Sequence, residues 1–392
     1  MYSEASCIAV EKESQKHSKK WKKVSVIFTL TIIIFSVYFL SIDTDSDNLA
    51  NFYEIFIYAT NPFIKDTDHD GLSDGYEVYI KTDPRKNWRQ QLNEDAIKSA
   101  LSKYFREQVS QLAKTLKGKT LEETAWNILK WVGENIEYNE QKAKKTVQEL
   151  NTPLETITLK KGICADYALL TAALLLEAGV NTVYIIVVYT PTQGHVAAAI
   201  VVNNETYVLD QQIPPVPYEN YEHHLAINGI KPVNKVKAYK ISLDERKEPV
   251  VTLIDPQHLP QADRKLKYSQ LIDIIIKVLR KYNPQLTWDP ELKEAARRVL
   301  ECHIQEIISG KDLECRLLLP PSYFSGVVHT VYFTAMYLSQ DFAYYWVSDS
   351  MERWLQITID AKKYTKICIV LDTIKTQKGE KVLVAICLAN KF

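Results

Sequence analysis

Nineteen residues from Val24 to Ile42, VSVIFTLTIIIFSVYFLSI, pass without a charge, and this run restricts the fold more tightly than any other feature of the chain. At about 1.5 Å per residue a helix over it reaches roughly 28 Å, close to the hydrocarbon thickness of a bilayer. Backbone in hydrocarbon must satisfy its own hydrogen bonds, so a single such run is helical. A secretory signal also begins with lysines and an apolar stretch. Here the stretch exceeds the roughly 7 to 15 residues of a signal core and no A-x-A cleavage pattern follows, so an uncleaved single-pass anchor is expected. Six lysines and three glutamates precede it in residues 1–23. The positive-inside rule then leaves the N-terminus in the cytoplasm and everything after Asp43 extracytoplasmic, at the cell membrane.

The remaining chain is long enough for two or three domains, and 46% hydrophobic residues suffice for ordinary globular cores. Lysine plus arginine and aspartate plus glutamate both number 48, so no basic excess points to nucleic acid. The six cysteines contain no C-x-x-C pair, which removes support for a zinc ribbon. Cys302, Cys315, Cys368 and Cys387 form a C-terminal group that invites disulfides outside the cell, with three connectivities open. Cys164 stands apart from them. The expected layout is a basic tail (1–23), a transmembrane helix (24–42), an acidic collar (43–87), a Cys164 domain (88–244) and a C-terminal domain (245–392).

The collar is an internal repeat, DTDSDNLANFYE (43–54) and DTDHDGLSDGYE (66–77). Each copy places oxygens at positions 1, 3, 5, 9 and 12: Asp43, Asp45, Asp47, Asn51 and Glu54, then Asp66, Asp68, Asp70, Asp74 and Glu77. Calcium takes six to eight hard oxygen ligands, and alternate carboxylates closed by a bidentate glutamate supply them. Gly71 and Asn48 stand where such a loop turns sharply. Nine carboxylates with one lysine in this stretch would repel one another without a cation. The pattern resembles the thrombospondin type 3 and dockerin-like calcium repeats. That resemblance implies bound Ca²⁺, backbone carbonyls of Leu49 and Leu72 as further ligands, position 9 acting through water, and a calcium-stiffened spacer.

Beyond the collar, apolar positions from Asn93 to about Lys117 recur at three and four, which predicts one amphipathic helix. A second helix is expected from Thr120, with Glu123 completing a capping box, to about Ile136. A third starts near Cys164 in KKGICADYALLTAALLLEAGV (160–180) and stops at Gly179. TVYIIVVYT, HVAAAIVVN, TYVLD and KVKAYKISL then read as an antiparallel meander, so the class is α+β. A cysteine nucleophile needs a base, and the base needs an orienting acceptor. If the NNE turn joins neighbouring strands, His195 and Asp210 meet at one end of that hairpin. The start of the Cys164 helix adds partial positive charge beside the sulfur and a backbone N–H for a developing oxyanion.

WVGENIEY (131–138), KKGICADYALLTAALLLEAGV, GHVAAAIVV (194–202) and YVLDQQ (207–212), in that order, resemble the transglutaminase-like superfamily of papain-type Cys-His-Asp enzymes. The resemblance implies a papain-like fold with nucleophile Cys164, general base His195 and orienting acid Asp210. It further implies a Cys acyl-enzyme on a protein or peptide amide. Water would release it in a cysteine protease or amidase, and an amine in a cross-linking acyltransferase. Two departures stand out: Val196 and Ala197 follow the histidine where the family often has an aromatic, and DQQ replaces the usual D-P-T. They motivate the alternative of an inactive, calcium-dependent envelope scaffold or adhesion protein. Asp166 reads as a first-turn acid favouring the helix terminus, and His223 and His224 as solvated.

The segment EPVVTLIDPQHLPQADRK reads as linker. Helices are expected over 267–283 and 286–307, the second capped by Asp289 with Pro290 at its first position. A terminal hairpin of YTKICIVLD and KVLVAICLAN would put Cys368 and Cys387 on facing strands. The order faintly resembles the CAP superfamily, and no site residue carries across from it.

Overall fold

The computed structural model describes residues 4–261, 266–334, 337–358, 364–376 and 379–391. Two compact units divide at Gln90 and Gln91. In the first, helix α1 (Glu4–Ser41) is continuous, and its stretch Lys20–Ser41 is long and apolar enough to cross a membrane, with none of it buried. The side chains of residues 1–19, including Cys7, lie outside the described residues. Two loops follow, with Asn48 (φ 75°) and Gly71 (φ 97°) taking the left-handed turn expected of them. Leu49 and Leu72 are buried between the loops. Helix α2 (Asp74–Ile80) is capped by Ser73, whose hydroxyl accepts from the Tyr76 N–H. A Cβ at Gly75 would sit 2.3 Å from the Asp47 carbonyl oxygen, so only glycine lets the loops approach this closely.

In the second unit, the run expected as one helix from Asn93 is broken into Glu94–Ala100, Lys103–Glu107 and Ser110–Leu116. The breaks have a cause in Arg106, which is fully buried. Its guanidinium donates to the Leu101 carbonyl left free at the first break (2.7 Å), to the Lys247 carbonyl, and to the Glu177 carboxylate at 2.5 Å. A straight amphipathic helix would keep that charge in water. Periodicity alone does not reveal that the arginine turns inward.

Helix α3 (Leu121–Asn135) begins as expected at Thr120, whose hydroxyl accepts from the Glu123 N–H. The Glu123 carboxylate reaches back to the Lys119 N–H rather than to the cap residue itself. Helix α4 (Cys164–Glu177) is buried along nearly its whole length, which explains why its sequence is apolar on every face. It packs on an antiparallel sheet of six strands: β1 (Thr182–Tyr189), β2 (Gly194–Val202), β3 (Glu205–Leu209), β4 (Val216–Pro217), β5 (Lys235–Leu243) and β6 (Pro249–Ile254). Their spatial order is β4-β3-β2-β1-β5-β6. Asn203 (φ 48°) and Asn204 (φ 65°) form the tight β2–β3 turn, the two-residue geometry that matches strand twist. Strand β6 lies where the sequence reads as linker. Its alternating burial of Pro249 and Val251 against exposed Val250 shows a half-buried edge strand.

The C-terminal region of this unit is also α+β. A short helix, Tyr221–Ile227 (α5), precedes β5, and α6 (Tyr268–Tyr282) lies on its expected span; α7 (Lys293–Ser309) starts later than the expected 286, because Thr287 and Trp288 pair as strand with Lys366 and Ile367 and Asp289 caps a separate short turn, Pro290–Leu292. Strand β7 (Tyr323–Thr334), which the sequence reading missed, pairs with β9 (Gly379–Lys391), and β9 pairs with β8 (Lys366–Thr376). Helix α8 (Ala343–Thr358) packs on α6; the side chains of residues 353–358, Trp354 among them, lie outside the described residues. Cys302 and Cys315 form a disulfide. Cys368 and Cys387 face each other in register on β8 and β9 but remain free thiols. Burial pushes both up, Cys368 to about 11 and Cys387 to about 12, so they are inert at neutral pH.

Candidate active site and calcium loops

Two of the quoted sequence pieces meet at the start of α4. Glu137 and Tyr138, from WVGENIEY, pair in parallel with Lys161 and Gly162, from KKGIC. Asp166, in the first turn, is fully buried. It accepts from the Ile163 N–H (2.9 Å), the Asn151 N–H (2.8 Å) and Lys142 Nζ (2.6 Å), which locks the chain entering Cys164. Gly162 is required here, because a Cβ on it would lie 2.9 Å from the Asp166 Cβ. Cys164 itself is a partly accessible free thiol at the helix N-terminus.

His195 is the second residue of β2, opposite Val188, and is only 8% exposed. Its Nε2 lies 2.8 and 3.0 Å from the two oxygens of Asp210, the residue after β3. Cys164 lies close enough to His195 to add to the pull on its proton. The structure thus pairs His195 directly with Asp210 and sets Cys164 near the imidazole. Burial alone would push the imidazole down. The Asp210 charge and hydrogen bond, with a smaller contribution from Cys164, outweigh it and hold His195 up at about 10. Burial would likewise raise Asp210, but the charge and hydrogen bond of His195, then those of His224, hold its carboxyl well below the usual range.

Two further side chains hold Asp210 that the sequence reading did not foresee. The Tyr221 hydroxyl donates to Oδ2 at 3.1 Å, and His224 Nε2 lies 3.4 Å from the same oxygen. His224 Nδ1 is 2.7 Å from the Tyr337 hydroxyl, and the Tyr221 and His224 rings stack at 5.9 Å. Their spacing of three on α5 is the signal that could have found them, since it places both on one helical face. His223 is exposed. His195 and Asp210 line a cleft of about 430 Å³ together with Tyr138, Gln211, Pro214, His224 and Tyr337.

The DQQ departure has a structural counterpart. Gln211 takes a left-handed conformation (φ 62°), and its carbonyl oxygen lies 2.8 Å from where a Cβ on Gly133 would stand. Gly133→Ala is therefore expected to push the Asp210 loop outward and to destabilise the unit by about 1–2 kcal/mol, the scale of a tight overpacking. Urea denaturation would measure this; an unchanged midpoint would show that the loop yields freely.

In the collar, one oxygen from each of Asp43, Asp45 and Asp47 lies within 4.8 Å of the others, and so do oxygens of Asp66, Asp68 and Asp70. Asp43 and Asp66 also accept N–H groups of their own loops, which fixes the turn. Both oxygens of Asp45, Asp68 and Glu54, and one of Glu77, are buried with no hydrogen-bond partner. Orphaned buried carboxylate oxygens facing like charges are what a hard cation satisfies, so the residues fit Ca²⁺. Burial first, then the neighbouring carboxylates, pushes Glu54 and Asp68 up to about 7 and Glu77 to about 10. The position-9 residues are engaged elsewhere. The Asn51 amide bonds the Thr44 N–H and hydroxyl, and Asp74 accepts from the Thr67 N–H and hydroxyl. They clamp the second residue of each loop, while the charge of Asp74 still acts on Glu54, Asp68 and Glu77.

Residues 107–239 match the family model described as a transglutaminase-like domain, and residues 66–86 match the bacterial TSP3 repeat. A UPF0252 protein of Archaeoglobus fulgidus is 38% identical over 153 residues, 35% of this chain and 49% of the relative. A second UPF0252 protein, from Methanocaldococcus jannaschii, is 39% identical over 127 residues, 29% and 36% of the two chains. The chain spans about half or less of the length of these relatives. Among solved structures, Legionella pneumophila LapG gives a TM-score of 0.25 at 16% identity over 33% of this chain and 79% of that one. Its calcium-bound form gives 0.24 at 17% identity, over 41% and 93%. The family match covers about a third of the 392 residues and includes Cys164, His195 and Asp210, so this segment of the chain is similar to the transglutaminase-like domain.

Proposed function

We propose that the chain is a membrane-anchored extracytoplasmic thiol enzyme that forms a Cys164 acyl-enzyme with a protein or peptide amide. The observation that carries this reading is the buried His195–Asp210 pair, with Cys164 near the imidazole at the start of α4. The Cys164 thiolate attacks the carbonyl carbon, and the Cys164 N–H, one of the first in α4 and without a helical acceptor, faces the developing oxyanion. The C–N bond then breaks and the His195 imidazolium gives its proton to the departing amine. A thioester remains. His195, now neutral, takes a proton from water or a second amine as that nucleophile resolves the thioester. Asp210 holds the ring and keeps it charged, while Tyr221 and His224 fix Asp210. Asp43, Asp45, Asp47, Glu54 and their counterparts Asp66, Asp68, Asp70 and Glu77 would hold calcium in the collar, supplying charge neutralisation rather than chemistry.

Product partition tests the reading. Incubated with glutamine-bearing peptides and a biotinylated alkylamine, the enzyme is expected to yield either cleaved or deamidated peptide, or biotinylated peptide, and Cys164→Ala neither. Mass spectrometry distinguishes the routes. Identical product levels from wild type and Cys164→Ala would overturn the assignment.

A further inference from the structure

Between Phe52 and Ile64 the chain carries a single charge, Glu54, and that carboxylate is fully buried. The large side chains around it point the other way: Phe56 is 61% and Phe63 66% exposed, and Phe52, Tyr53, Ile57 and Ile64 are exposed as well. The aromatic ones form two ring clusters rather than scattered singles. The Phe52 ring meets Tyr53 at 5.6 Å and Phe56 at 5.4 Å, and Phe63 meets Phe39, in the last turn of α1, at 5.9 Å. Water-facing surfaces rarely keep an apolar patch of this kind without a partner. The face is also tied firmly to the apolar helix. Asn51 donates its backbone N–H to the Ile42 carbonyl (2.9 Å) and its amide to the Phe39 carbonyl (2.8 Å).

We infer that this aromatic face lies in the outer interfacial layer of the bilayer that α1 spans, seating the first collar loop on the lipid surface. The inference rests on the anchor reading of Lys20–Ser41 and goes beyond it, since an anchor needs only the helix. Aromatic side chains favour the boundary between acyl chains and headgroups, where an apolar ring and a polar rim are both satisfied. The Phe39–Phe63 contact carries the apolar surface of α1 into the collar at that point. The inward turn of Glu54 serves both sides: its carboxylate joins the cation loop, and the outer face of its segment is left uncharged.

The full chain, reconstituted in phosphatidylcholine–phosphatidylglycerol vesicles with a lipid carrying a diazirine near its glycerol backbone, is photolysed and its adducts mapped by mass spectrometry. Adducts are expected in residues 52–64 as well as 24–42. Combining Phe56→Gln with Phe63→Gln should lower labelling of 52–64 by about tenfold, the scale of removing buried aromatic area, and leave 24–42 unchanged. Phe63→Gln alone, the milder variant, should lower it in part. Labelling confined to 24–42 overturns the inference while leaving the anchor intact. If in that case the double variant also turns an oligomer into a monomer, the face belongs to a second copy. No adducts in 24–42 removes the anchor and the inference together.

Discussion

Replacing His195 by alanine is expected to slow alkylation of Cys164 by iodoacetamide at pH 7 by about 100- to 1,000-fold, within the range a positioned acid–base partner contributes. The thiolate is the reacting species, and an imidazolium next to the sulfur is what favours it. With His195 held up at about 10, that cation is present throughout the neutral range and is lost only as pH rises through about 10. The measurement is clean: the other free thiols among the described residues, Cys368 and Cys387, are buried and raised, and mass mapping separates them from Cys164. Asp210→Asn extends the test. It removes the charge that lifts His195, so the alkaline limit of amide turnover should fall from about 10 toward the ordinary histidine value, because burial is then opposed only by the smaller contribution of Cys164. Equal labelling of wild type and His195→Ala would favour the rival reading, an inactive scaffold that keeps the fold.

The same geometry shows which parts of the site could be read from the sequence. A tight two-residue turn between β-rich runs implies a hairpin, and a hairpin fixes which residues share an end; His195 and Asp210 followed from that alone. Asp166 is legible as a first-turn acid, but its burial with Lys142 and the Asn151 N–H is not, because those partners come from a short helix, Glu140–Ala143, and the chain after it. Tyr221 and His224 were hidden by their setting. A short polar helix after a proline-rich loop reads as surface, and only the cleft shows that its inner face rests on Asp210. Arg106 is a similar case, since an arginine at a helical position reads as solvated unless its carbonyl and carboxylate partners are in view. Facing strands leave a Cys368–Cys387 bond open from sequence; the structure joins Cys302 to Cys315 and keeps Cys368 and Cys387 as free thiols. In the collar, spacing alone could not tell a cation ligand from a clamp at position 9.

Chelating calcium should raise the rate of proteolytic cleavage within residues 43–86 by about 100-fold, if the ion is otherwise present at about 100 times its dissociation constant. The size follows from linkage: an ion that binds only the folded loops stabilises them in proportion to its occupancy, and cleavage tracks the opened population. The folded loops need such an ion for a definite reason. Asp45, Glu54 and Asp68 bury both carboxylate oxygens without a hydrogen-bond donor, so without a cation these groups must either take up protons or return to water. Burial and like charge raise Glu54 and Asp68 to about 7 and Asp70 to about 6, so between pH 6 and 7 part of the site is protonated when empty. Calcium must displace those protons. Its binding should therefore acidify a weakly buffered solution at pH 6.5, and Glu54→Gln with Asp68→Asn should lose both the proton release and the protection. Cleavage at one rate with and without chelator would mean that the loops keep their fold by another route, and the aromatic face beside Glu54 would then need no ion to hold it in place.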